Sequence, residues 1–374
     1  MGKAESCLPQ PDTMPYHLLA LTAISGEFPA DQLKRLRGSE YYKESVITSL
    51  KKDGLLRTYY RDKLRGYRLG PKAKAALLSQ FPGQFAFYLT GDTDTNRLKS
   101  EVSRRLRLHR IAQTYVTMEH ASAAIFRSEK PEVFSPAGSP VSEMKQPAFY
   151  NSREIKDMGI DFTKIRSSRS VGVLLAPAGI FVTYNCGTGL MKWQYKSELR
   201  MKTLMWSVLC RQRLASQFTP ECVFGLVLGD GIEPAYQMLT SNGGKRHDCF
   251  MLDGCYDHFY YVTHDQPGER LLSLLCDTEK TADLNRLLSL GLSDRQPNGR
   301  IENDAIDQNG NPVLFAYACD MPRIARFNTA LELQGRDGAM ICFDYQKEAL
   351  ERYCGNRVHF QIIDFSKFER RFFP

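Results

Sequence analysis

Near the start of the chain, apolar residues recur at helical spacing through three short segments and then switch to alternation. Residues 18–25 (LLALTAIS) are almost wholly apolar, which predicts a buried helix stopped by Gly26. Pro29 stands where the first turn of a second helix would begin, with Leu33 and Leu36 facing inward and Gly38 as its end. Ser39 is placed to cap a third helix. Its apolar residues Tyr42, Val46, Ile47 and Leu50 would face the core, leaving Lys43, Glu44, Thr48, Lys51 and Lys52 in solvent, and Gly54 would stop it. Leu56, Thr58 and Tyr60 then alternate with Arg57, Tyr59 and Arg61 at the strand period of two. Residues 62–66 read as a polar turn, 67–69 as the return strand, and Pro71 as the opening of another helix.

Three helices followed by a basic hairpin, within residues 16–78, are the order of a winged helix-turn-helix. Residues 79–94 read as a packed connector. Asp94 or Thr95 would then cap a long helix over 96–126. Its stripe would be Leu98, Val102, Leu106, Ile111, Tyr115 and Met118, with Arg97, Lys99, Arg104, Arg105, Arg107 and Arg110 crowding its first half. Such a helix pairs with its copy in a dimer, lies on its own second domain or extends a DNA contact, and its spacing does not choose among these. Residues 127–150 hold four prolines among Ser, Gly and charged residues and read as a linker.

From residue 151 onward, strand-like and helix-like segments alternate. Segments 171–176 and 180–185 read as a hairpin, 193–213 as a helix, and 223–228, 259–263, 313–318, 339–343 and 358–363 as strands with helices between them. Residues 293–312, rich in Asn, Asp and Gly, read as an exposed loop. The predicted fold is therefore a multidomain α+β and α/β chain. It comprises a winged-helix domain (1–94), a basic amphipathic linker helix (95–126), a linker (127–150) and an α/β domain with a mixed, partly parallel sheet (151–374).

Charge sharpens this division. The net charge is +8 over 374 residues, yet residues 1–126 hold 20 Lys and Arg against 12 Asp and Glu, while the remainder is balanced at 30 of each. A basic end on a neutral body suits a nucleic-acid-binding module, because neutralising phosphates supplies most non-specific affinity. The ten cysteines are scattered and read as free thiols. No stretch approaches the apolar length of a membrane span, and MGKAESCLPQPD lacks the core of a signal peptide, so the expected setting is the cytoplasm.

Candidate chemistry is sparse. A hairpin followed by helix and strand units resembles a restriction-endonuclease-like core, which would place carboxylates on the hairpin to hold a divalent metal. Segments VGVLL and FVTYN carry none, so such a core would be degenerate. Asp157, Asp161 and Glu198 are the nearest carboxylates, and Glu198 with Lys202 reads as a surface i,i+4 pair. His247, Cys249, Cys255 and His258 form the one His/Cys cluster, but in a spacing that fits no common zinc knuckle. Gly229-Asp230-Gly231 reads as a tight strand-to-helix turn. Tyr41, Tyr59 and Tyr60 lack the surroundings of a nucleophile. No metal or cofactor is expected.

The layout, with Asp53-Gly54-Leu55-Leu56 and Tyr67-Arg68-Leu69-Gly70, resembles the plasmid replication-relaxation family of Gram-positive mobile elements. The resemblance implies a winged helix joined to a nuclease-like α/β domain and a role in replication or transfer of plasmid-like DNA. The resulting expectation is a binder of double-stranded DNA, an accessory factor or regulator, with an α/β domain for dimerisation or protein docking. Lys43, Ser45 and Thr48 would face base edges, while Arg57, Tyr59, Arg61, Lys63, Arg65 and Arg68 on the wing would hold the backbone. The alternative is a metal-dependent nuclease or DNA-relaxing enzyme using Asp157 or Asp161 with Glu198, and a third reading is a winged helix that binds protein rather than DNA.

Overall fold

A run this apolar has no face suited to water, and the computed structural model buries it: helix α1, Met14–Ser25, is buried from Leu18 to its end. The N–H of Gly26 donates to Thr22 O as the chain turns at φ +82°. The described residues are 8–134, 141, 143–156, 168–294 and 301–374. They fall into two compact units, Met1–Glu119 with Ile125–Pro131 and His120–Ala124 with Glu132–Pro374.

In the first unit the expected second helix is replaced. Pro29 does not open a helix but ends strand β1, Phe28–Pro29, and only a short 3-10 stretch, Ala30–Arg35, follows. Phe28 is wholly buried, and an edge strand tolerates a proline that cannot donate to a ladder. Helix α2, Glu40–Lys52, is capped as expected by Ser39, whose hydroxyl accepts from Tyr42 N. Its buried face is Lys43, Val46, Ile47 and Leu50, whereas Tyr42 is exposed. Position 43, not 42, completes the helical spacing with 46, 47 and 50.

Strands β2, Leu56–Arg61, and β3, Leu64–Leu69, pair antiparallel, and β1 adds to β3 to give the order β1-β3-β2. Arg61 pairs with Leu64, so the turn is Asp62-Lys63 alone, both at positive φ as a two-residue hairpin of this hand requires. Gly66, read as part of the turn, lies inside β3, and Tyr60, which shares its face with the buried Leu56, is 67% exposed. Helix α3, Pro71–Gln80, follows, and the expected connector contains helix α4, Pro82–Leu89. Helix α5, Val102–His120, begins later than its spacing suggested, because Asn96 and Arg97 close a turn back onto Thr93 O. Its buried face is Arg105, Leu108, His109, Ala112, Tyr115 and Val116, while Val102 and Leu106 are exposed.

The second unit contains two five-stranded sheets where one was expected. In the first, β4 (Ala148–Asn151), β5 (Gly172–Ala176) and β6 (Gly179–Gly187) run antiparallel, then β7 (Val223–Gly229) and β8 (Phe259–Thr263) add in parallel. The helix Tyr195–Met205, continuing as a wider π-helical stretch Trp206–Arg213, joins β6 to β7. In the second sheet, β11 (Pro312–Phe315), β12 (Gly338–Phe343) and β13 (Val358–Ile363) are parallel, with helix Met321–Gln334 between the first two. Short strands β9 (Ser293–Asp294) and β10 (Ala305–Ile306) extend that sheet. The expected loop over 293–312 is therefore partly structured, with Ile301, Asn303 and Ala305 buried. One apolar core runs through both sheets. No helix of the described residues is long and apolar enough to cross a membrane.

Candidate nucleic-acid interface

The hairpin β2-β3 is held from beneath by a buried ion cluster. Glu27 follows α1 and has no exposed surface. The Arg105 guanidinium, also fully buried, donates to Glu27 Oε1 at 2.6 Å from Nη2 and 3.0 Å from Nε. Arg68 Nε donates to Oε2 at 2.7 Å, and His109 Nε2 lies 2.8 Å from Oε1. Burial alone would raise the Glu27 carboxyl, but hydrogen bonds from His109, Arg105 and Arg68 outweigh it and lower the carboxyl from 4.5 to about 2. Gly66 makes the approach possible: a Cβ there would stand 2.5 Å from Glu27 Oε1.

Arg105 then turns outward to the hairpin backbone. Its remaining donors reach Arg61 O at 2.9 Å, Leu64 O at 3.0 Å and Tyr59 O at 3.4 Å, the carbonyls on either side of the Asp62-Lys63 turn. A planar five-donor group suits this, since one side chain satisfies a carboxylate and several carbonyls in fixed geometry.

This cluster reassigns several expected contact residues. Arg68 is spent on Glu27 and on Lys99 O. Tyr59 lies under Arg68, 3.7 Å from guanidinium carbon to ring centroid, and beside Arg105 at 4.6 Å, so it packs rather than points outward. Lys43 is 3% exposed, its ammonium 2.6 Å from Glu40 and 3.3 Å from Lys34 O, and it does not face a base edge. An aliphatic stem lying on the core with its charge at the edge is the physical reason.

The remaining expected residues are exposed. Ser45 and Thr48 lie on the outer face of α2, Thr48 Oγ1 donating to Glu44 O. Arg57, Arg61, Lys63 and Arg65 are exposed, Arg61 resting 3.4 Å from Asp62. Among the described residues Arg57, Lys63 and Arg65 form no ion pair. Register puts Arg65 opposite Tyr60 and beside Tyr67, whose ring feels both Arg65 and Glu44 of α2. That face therefore adjoins α2, with Lys63 at the tip and Arg57 on the reverse face. Three exposed tyrosines join this surface: Tyr41 (84%), Tyr60 and Tyr42. Adjacent aromatics directly after the Ser39 cap were the one available signal for the first turn of α2.

In the second unit Glu198 is not a surface residue. It is fully buried, accepting from Ser168 Oγ (2.8 Å), Arg169 N (2.8 Å) and the Tyr184 hydroxyl (3.0 Å). Burial raises its carboxyl above the ordinary range against these hydrogen bonds. Lys202 instead reaches Asp257 at 3.2 Å. Asp157 and Asp161 lie outside the described residues. The His/Cys segment does not gather: His258 Nδ1 bonds Asp320 at 2.6 Å. Among the described residues no three His, Cys, Asp or Glu side chains converge where a metal ion could sit. No known protein family, characterised protein or solved structure matches this chain.

Proposed function

We propose that the first unit is a winged helix-turn-helix that binds double-stranded DNA, with α2 entering the major groove and the β2-β3 hairpin lying on the flanking backbone. The observation that carries this reading is the trio Arg57, Lys63 and Arg65, exposed and without ion pairs among the described residues, on a hairpin whose turn is pinned by Arg105. Cations held ready on a rigid support suit phosphate binding, because little is lost in ordering them. Ser45 and Thr48 read base edges, Tyr41 contacts the groove wall, and the +8 net charge, all of it in residues 1–126, draws the unit to DNA.

In this reading the chain is a cytoplasmic accessory factor or regulator in replication or transfer of a plasmid-like element, as the resemblance of its layout to the plasmid replication-relaxation family suggests. The second unit is a degenerate nuclease-like body that serves dimerisation or docking. Its antiparallel β4-β5-β6 leading into parallel β7 supports the nuclease-like part of this reading, and the enclosure of Glu198 by protein donors supports the core being degenerate.

The test is binding to DNA from the protein's own locus across a salt series. Lys63→Gly is cleaner than Lys63→Ala, since φ is +61° there and glycine removes the charge without straining the turn. Combined with Arg65→Gln it is expected to weaken binding to all sequences and reduce the salt slope by about two. Unchanged affinity and slope would overturn the interface.

A further inference from the structure

An apolar cleft of about 460 Å³ opens in the second unit between the segment 250–257 and helix Met321–Gln334. Its size falls in the roughly 300–1,000 Å³ range of small-molecule sites. The floor is aromatic and already ordered. Trp193 meets Phe250 edge-on at 5.1 Å, Phe250 stacks on Phe259 at 5.2 Å, and Tyr256 packs on Phe259 at 5.4 Å. The helix side presents Ala325 and Ala330, side chains too short to fill the space, and Leu333 stands at the mouth 82% exposed.

Three charged side chains line the cleft, and their partners decide which ligand fits. Asp257 is paired with Lys202 at 3.2 Å, and Arg326 with Glu302 at 2.9 Å. Asp253 accepts only neutral donors, Trp193 Nε1 at 2.6 Å and Cys255 N at 3.0 Å, and has no ion pair among the described residues. The lining therefore carries one uncompensated negative charge beside aromatic rings, and both features favour a cation.

We propose that this cleft binds a small organic cation, an amine or quaternary ammonium on an apolar body, whose charge pairs with Asp253 while its body covers the aromatic floor. The proposal stands independently of DNA binding by the first unit.

The chain has two tryptophans, so Trp206→Phe leaves Trp193 as the sole reporter inside the cleft. Full-length protein carrying that change is titrated with 4-phenylbutylamine and, in parallel, with 4-phenylbutyrate, which has a similar body and the opposite charge. The amine is expected to change Trp193 emission saturably, with a dissociation constant of about a millimolar or tighter, and the acid to bind at least about tenfold more weakly. Asp253→Asn keeps an acceptor for the indole and is expected to weaken the amine about tenfold. Ala325→Phe fills the cleft from the helix side and is expected to abolish the response, which preserves the test if Asp253→Asn fails to fold. Absence of saturation, equal binding of the acid, or an amine response surviving Ala325→Phe would overturn the proposal.

Discussion

Replacing Glu27 by Gln keeps the size of the side chain and removes the one negative charge that, among the described residues, contacts Arg105, Arg68 and His109. Lowering the carboxyl from 4.5 to about 2 corresponds to about 3 kcal/mol of folding stability at neutral pH. Leaving Arg105 buried without a counter-charge gives a similar figure, about 3–5 kcal/mol. Because the folded value is depressed, this stabilisation is present in full above pH 4.5 and drains away as pH falls toward 2. The assay is thermal unfolding of wild type and Glu27→Gln between pH 7 and 3, together with hydrogen exchange of the β2 and β3 amides. The variant is expected to lose on the order of 10 °C in the transition of the first unit at pH 7. The gap is expected to narrow on acidification, and the hairpin amides to exchange faster. Equal melting at pH 7, or a gap that does not change with pH, would refute the electrostatic account.

Other substitutions probe the same geometry. Gly66→Ala places a Cβ against the Glu27 carboxylate and is expected to cost about 1–3 kcal/mol in chemical denaturation, less than additively with Glu27→Gln. Lys43→Met keeps the stem packing, so DNA sequence preference is expected to stay as in wild type; relaxed preference at one base position would return Lys43 to a reading role. Glu198 has a raised carboxyl, so its charged form opposes folding as pH climbs above the ordinary 4.5. Glu198→Gln is therefore expected to be neutral or stabilising at pH 7 by urea unfolding, and to leave supercoiled plasmid as intact with Mg²⁺ as wild type does. Strong destabilisation, or nicking that the substitution removes, would count against this account.

Strands and helices with strong local patterns were readable from residues alone. The strand over 259–263 follows an apolar run, that over 358–363 alternates Val358, Phe360 and Ile362 with polar residues at 359 and 361, and Ser39 caps α2 because its hydroxyl and the following spacing agree. What pattern could not show is which polar residues go inside. Arg105 sits among six basic residues that look like one solvated face, and its partner Glu27 is 78 positions away. Lys43 went inward because the 46, 47, 50 spacing needed a fourth member, and a lysine stem meets that need as well as a tyrosine ring. The second sheet was read together with the first, since alternating strands and helices carry no mark of where one sheet ends.

The Arg105 bonds to the hairpin carbonyls also say how short a working fragment can be. A piece ending at residue 94, the expected end of the first domain, would contain α2, the hairpin and Glu27, yet would strand that carboxylate with Arg68 alone and leave the turn untethered. The smallest stretch that can present the hairpin in this posture reaches past His109, because the last residues that shape it are written three helices downstream, in α5.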